Sequence, residues 1–125
     1  MITYDPRRIS TPVYTHLSNL KSKSSDTDKK EQKSQAVELY TYLATWGLLR
    51  LKAEESALSQ PAKKALVKCF FATLAEITEL ELELEKLVKL DASEYLGLTS
   101  IAMQVANEFS FWAKAIYADV KEVTS

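Results

Sequence analysis

Among the 125 residues there are two glycines, three prolines, one cysteine and one histidine. Gly47 and Gly97 stand alone, which excludes a glycine-rich phosphate loop, a dinucleotide fingerprint and a nucleophile elbow. Tight hairpins have few residues to turn on. The single Cys69 makes no internal disulfide and fits a reducing compartment. Cys69 and His16 occupy different segments and offer no zinc spacing. None of Glu76, Glu79, Glu81, Glu83 or Glu85 is followed three residues later by the histidine of a bundle di-iron site. His16 reads as a surface or half-buried residue of the first helix, and the glutamates as a solvated acidic face. No apolar run approaches the roughly 18 residues of a membrane span, and no charged start leads into an apolar core and cleavage site. The expectation is a cytoplasmic chain with no metal, no cofactor, no small-molecule substrate, no membrane contact and no catalytic residue set.

What is present is apolar surface at helical spacing. At 46% hydrophobic, the chain suits one compact domain with a single core. The pattern predicts an all-α bundle of four main helices spanning residues 1–125. Residues 1–33 form an irregular start, a short helix and a mobile linker, and residues 34–122 form the bundle core. Residues 35–52, QAVELYTYLATWGLLRLK, are apolar on nearly every side, with Val37, Tyr40, Ala44, Gly47 and Leu51 on one stripe. A helix apolar almost all round must be surrounded, so this one is expected at the centre.

In chain order, Asp5-Pro6 and Thr11-Pro12 each set a capping side chain before a proline. The second is the better start, predicting a helix over 12–20 with Val13, Leu17 and Leu20 on one face. Residues 21–34 contain no apolar side chain and are expected to be a mobile loop carrying Lys21, Lys23, Lys29, Lys30 and Lys33. The central helix is expected over 32–56, with Gly47 explained by close approach of a neighbouring helix or, alternatively, by a hinge. Ser59 and Pro61 then open a helix towards residue 90, with Leu66, Phe70, Leu74, Ile77, Leu80, Leu84 and Leu87 as its stripe and a bend or break near Thr78. Residues 79–85, ELELELE, alternate like a strand but consist of good helix formers with no second strand nearby, so helix is expected. Asp91 and Glu94 make a capping box for a last helix to about residue 120. Leu98, Ala102, Val105, Ala106, Phe109, Trp112 and Ile116 form its apolar stripe.

The formal net charge of -1 conceals an asymmetry. Residues 1–70 hold 12 Lys/Arg against 7 Asp/Glu, and residues 71–125 hold 4 against 10. Such a split suits a basic face for phosphates, or complementary ends that let copies stack. Arg7, Arg8, Lys63, Lys64 and Lys68 are the candidate phosphate contacts, with Lys64 and Lys68 one helical turn apart. No interleaving of aromatic and basic residues for base stacking is visible outside the core stripes.

Residues 94–99, EYLGLT, then Ile101-Ala102 and the later Phe111-Trp112-Ala113-Lys114, resemble the closing helix of the small helical subunits of multi-subunit CRISPR effector complexes. Residues 43–51 and 65–74 are similar in character to their central helices. The chain also resembles the C-terminal helical part of the type I-D large subunit, which is made separately from an internal start, and the opening MITYDPRR suits a mid-protein origin. The resemblance implies a non-catalytic subunit present in several copies, bracing the backbone and large subunits around crRNA and target DNA. It adds Arg50, Lys52 and Lys114 to the expected nucleic-acid contacts. The rival expectation is a homo-oligomeric helical adaptor that binds protein and no nucleic acid.

Overall fold

The computed structural model describes residues 7–120, which form six helices and, among these residues, no strand. They are α1 Arg7–Ser22, α2 Asp26–Trp46, α3 Leu48–Ala57, α4 Pro61–Thr78, the single turn α5 Leu84–Leu87, and α6 Ala92–Ile116. The all-α bundle is as expected. α6 packs along α2 and α1, and α4 packs against α1, α2 and α3. The core sits between them, built from Val13, Leu17, Leu39, Leu43, Leu51, Leu66, Phe70, Leu74, Val105, Phe109 and Tyr117, all fully or almost fully buried.

The first correction concerns the start. α1 begins at Arg7, five residues before Pro12, and carries that proline inside the helix. Ile9, Val13 and Leu17 step by four residues and are all buried, so the extra turn places Ile9 in the core. Ser10 Oγ also donates to Glu108 of α6. Together these outweigh the amide hydrogen bond that Pro12 removes. The Asp5-Pro6 start lies outside the described residues.

A second correction falls on the polar stretch expected to be a mobile linker. α1 runs to Ser22 and α2 already begins at Asp26, leaving a turn of three residues. Ser25 caps α2, its side chain accepting from the Asp28 N–H at 3.2 Å, and Asp26 and Asp28 sit favourably at the positive end of the helix dipole. Polar side chains here find buried partners in place of apolar ones. Gln32 donates to Ser24 Oγ at 2.9 Å and accepts from the Tyr117 hydroxyl at 3.1 Å. Lys21 donates to the Ile116 carbonyl at 2.8 Å, and the buried Lys33 to the Val120 carbonyl at 2.7 Å. Lys21 thereby satisfies the last carbonyl of α6, where a cation also complements the dipole, and Lys33 one four residues beyond the helix. Their aliphatic stems provide the contact surface that the sequence lacks.

The expected central helix is neither continuous nor surrounded. Gly47 ends α2, donating to the Leu43 carbonyl at 2.9 Å, and α3 starts at the next residue. The buried stripe of α2 is Gln32, Ala36, Leu39 and Leu43, whereas Tyr40 is 41% and Trp46 53% exposed. Gly47 has φ 89° and ψ 166°, backbone that is essentially reserved for glycine. Close packing is not its reason: an added Cβ meets only the Tyr95 hydroxyl, at 3.9 Å. That hydroxyl accepts from the Leu49 N–H at 2.9 Å and so satisfies one of the free amides opening α3. Gly47→Ala is expected to lower stability by about 1–3 kcal/mol through backbone strain alone. An unchanged urea midpoint would show that α2 and α3 can run together without penalty.

α4 starts where expected, although Gln60 rather than Ser59 supplies the cap, accepting from the Lys63 N–H at 2.9 Å. The break near Thr78 is present: Glu79 takes the left-handed conformation, φ 58°, and ends the helix. Residues 79–83 are a correction, being irregular rather than helical. Leu82 and Leu87 are both buried, and five residues apart they fall about 140° from each other on a helix. Burying both against one core therefore requires the helix to break. Asp91 and Glu94 form the expected capping box, at 2.8 and 3.2 Å, and the α6 stripe from Leu98 to Phe109 is buried.

Cys69 and Tyr117 give this core a pH limit. Burial pushes the Cys69 thiol up to about 12, against a weaker lowering by Thr73. Burial also raises the Tyr117 phenol, with Cys69 adding to it. Both groups stay neutral in the fold while the unfolded chain loses their protons from about pH 8.5 to 10. Above that onset the folded state binds more protons, so stability is full below about pH 8.5 and falls as pH rises. The urea midpoint should decline between pH 8.5 and 11, and less steeply in Cys69→Ala; a flat profile in the parent chain would contradict the burial of both groups.

Candidate nucleic-acid interface

Phosphate binding needs cations that project from a rigid surface without an internal carboxylate to neutralise them. α4 supplies the rigid surface. Lys64 and Lys68 lie one turn apart on it, Lys64 half-buried and Lys68 exposed, and among the described residues neither has a carboxylate within salt-bridge distance. Phe71 follows Lys68 by three residues and continues the same helical face. The Lys52 ammonium of α3 lies 4.7 Å from the centre of the Phe71 ring. Lys52 thus lies where α3 packs on α4, with Lys68 about one turn and Lys64 about two turns back along α4 from Phe71.

The remaining expected contacts divide. Lys52 also pairs with Glu55 at 2.8 Å, and Lys63 faces Glu31 of α2 at 3.8 Å. Both ammonium groups have a local counter-charge that phosphate must displace. Arg50 stacks its guanidinium over the Trp46 indole, 4.2 Å from the ring centre, an exposed cation–π pair beside the Gly47 break. Lys114 is exposed in the last turn of α6. Arg8 lies in a groove between α1, the end of α4 and α6 that Glu76, Glu79 and Glu94 also line, an acidic surrounding apart from the lysines. Arg7 is the first residue of α1, and its side chain lies outside the described residues.

The charge split along the chain is not a separation between two ends of the molecule. α5, which holds Glu85 and follows Glu79, Glu81 and Glu83, packs against α3, which carries Arg50 and Lys52 as well as Glu54 and Glu55. Within that stretch Lys86 hydrogen-bonds Glu81 and holds its carboxyl below the ordinary range. His16 is half-buried, with Nε2 3.4 Å from Glu76.

Among the described residues no three His, Cys, Asp or Glu side chains are grouped to hold a metal, and no helix is long and apolar enough to cross a membrane. One arrangement had no signal in the sequence: Tyr14 of α1 and Trp112 of α6, 98 residues apart, meet in space beside Lys21 and Lys29. No local window contains both rings. No protein-family model, curated protein or solved structure matches the chain.

Proposed function

We propose that the chain is a non-catalytic helical subunit of a crRNA-guided effector complex, binding a nucleic-acid strand through phosphates on the α3/α4 face. Lys64 and Lys68 are the principal contacts, Lys52 and Lys63 secondary ones, and Arg50 an outlying cation. The observation that carries this reading is the pair Lys64 and Lys68, one turn apart on a rigid helix and without a carboxylate partner among the described residues. The resemblance of residues 94–114 to CRISPR small subunits supplies the kind of complex. Contacts of this type read no sequence, because the cations meet the backbone and not the base edges. The protein would brace its strand wherever base pairing elsewhere in the complex directs it.

A second observation bears on protein partners. Leu80, Leu84 and Val88 are exposed around α5, an apolar ridge suited to the backbone and large subunits or to further copies. The same ridge supports the alternative of a homo-oligomeric adaptor free of nucleic acid. Titration of the purified chain with a labelled single strand and with a duplex separates the two. On the proposed reading log K falls linearly with log salt over roughly 50 to 200 mM, with a slope near 0.7 per phosphate for the single strand and 0.9 for the duplex. Absence of binding to either at low salt favours the adaptor.

A further inference from the structure

Where α1 packs on α6, aromatic faces and cations share one surface. Tyr14 and Trp112 meet edge to face with ring centres 5.5 Å apart, and Phe111 meets Trp112 in the same way at 5.1 Å. Trp112 is anchored, its indole N–H donating to Glu108 at 3.3 Å. The outer rings are not covered: Tyr14 is 50% and Phe111 59% exposed. Beside them lies a cleft of about 410 Å³, lined by Tyr14, Trp112, Lys21, Lys29, Ser18 and Ser22. That volume is within the range of about 300–1,000 Å³ usual for ligand sites.

The cations of this cleft are only partly occupied. Lys21 donates to the Ile116 carbonyl and, at 2.6 Å, to Asp119, which uses two of its three donors. Its hydrogen bond to Asp119 holds that carboxyl below the ordinary range, so the pair persists at neutral pH. Lys29 meets Asp26 at 3.7 Å, an almost fully exposed carboxylate and an ion pair of little strength, and its charge also reaches Asp119. Beyond the rings, Lys114 follows Phe111 by three residues and shares its side of α6.

We propose that this cleft and the Phe111 ring beside it bind an unpaired nucleotide segment, with a base stacked on Tyr14 or Phe111 and the adjoining phosphates at Lys21, Lys29 and, outside the cleft, Lys114. The inference rests on the nucleic-acid reading above and adds the state of the strand. Aromatic faces accept any base, whereas a duplex keeps its bases stacked inside and offers only phosphate. Rings and cations together are the chemistry of a single strand. An apolar helix or a second copy of this chain would use the rings and leave the third donor of Lys21 and the weakly paired Lys29 unused.

The test is Tyr14→Ala/Phe111→Ala in the full chain, measured with oligo(dT), oligo(U) and a duplex. Both side chains are half-exposed, and an unchanged thermal midpoint confirms that the fold is intact. Affinity for the single strands should fall roughly tenfold or more, with the salt slope and the duplex affinity unchanged. Tyr14→Phe, which keeps the ring, should bind like the parent. Oligo(dU) measured against oligo(U), which differ only in the 2′-hydroxyl, identifies the sugar. In a Trp46→Phe background, Trp112 emission should be quenched by the single strand and not by the duplex. Unchanged single-strand affinity in the double variant, or an equal loss for strand and duplex, overturns the inference. So does loss of a concentration-dependent dimer in sedimentation, which would give the rings to a second copy. If the Lys64/Lys68 variant loses affinity and this one does not, the cleft is excluded and the proposed function stands; if the parent chain binds nothing, both fall.

Discussion

Phe109→Ala is expected to lower the free energy of unfolding by about 3–5 kcal/mol, the range for truncating a fully buried aromatic side chain. Phe109 has no exposed surface and joins α6 to α4, its ring edge to face with Phe70 at 5.5 Å. Phe70 in turn packs edge to face on Phe71 at 5.2 Å, and Phe71 carries Lys52 above its ring. A cavity at Phe109 therefore opens at one end of a three-ring chain, where movement of Phe70 to fill it would disturb the packing of Phe71 as well. Domains of this size have about 5–15 kcal/mol in total, so the loss is a large part of the whole. Phe111→Ala, two residues further along and exposed, is the control and should change stability by no more than about 0.5 kcal/mol. Urea unfolding with an unchanged m-value measures both; similar losses at 109 and 111 would contradict the packing described.

Lys64→Ala/Lys68→Ala is the functional counterpart. Removing two phosphate contacts should reduce the salt slope for a single strand by about 1.4 and lower affinity by roughly tenfold or more at about 50 mM salt. Neither side chain has an internal ion pair among the described residues, so stability should change little. Lys63→Ala is expected to have a smaller effect on binding, because Glu31 at 3.8 Å already engages that ammonium. Lys52→Ala combines the two kinds of loss, since its ammonium lies against Phe71 and pairs with Glu55 as well as facing the lysine surface. A ranking in which Lys63→Ala weakens binding more than the Lys64/Lys68 pair would move the interface to the α2 side of α4.

The parts of the fold legible in the sequence are those where apolar spacing and caps agree. The α6 stripe, the Asp91–Glu94 box and the run Leu66, Phe70, Leu74 are each dictated locally, and each is found where the spacing puts it. Spacing misleads where burial is decided by distant residues. The 35–52 stretch has too many apolar residues to reveal which stripe faces inward, and Tyr40 and Trp46 stay outside because α6 covers the Ala36–Leu39–Leu43 stripe instead. The segment after Leu20 reads as unstructured because its partners are backbone carbonyls at and just beyond the end of α6, a kind of contact that hydropathy does not register. Gly47 was recognisable as an anomaly, but its cause lies in a backbone dihedral and not in a neighbour.

The candidate interface was legible to the same degree. Helical spacing alone sets Lys64 one turn from Lys68, whereas the counter-charges on Lys52 and Lys63 and the acidic surroundings of Arg8 depend on which helices pack together. The Tyr14–Trp112 contact joins the two ends of the described chain. Only the docking of α1 on α6 creates it, and no periodicity in either helix anticipates it.

The central proposal is that this helical scaffold serves a guide-RNA-directed complex. Purification of the tagged full chain from its native cells under low-salt conditions, followed by sequencing of the bound RNA and identification of the bound proteins, tests it most directly. The account predicts a discrete population of guide RNAs together with backbone and large subunits, depleted when the Lys64/Lys68 variant replaces the parent chain. Recovery of a defined oligomer of this chain, free of nucleic acid and unaffected by that variant, would contradict it.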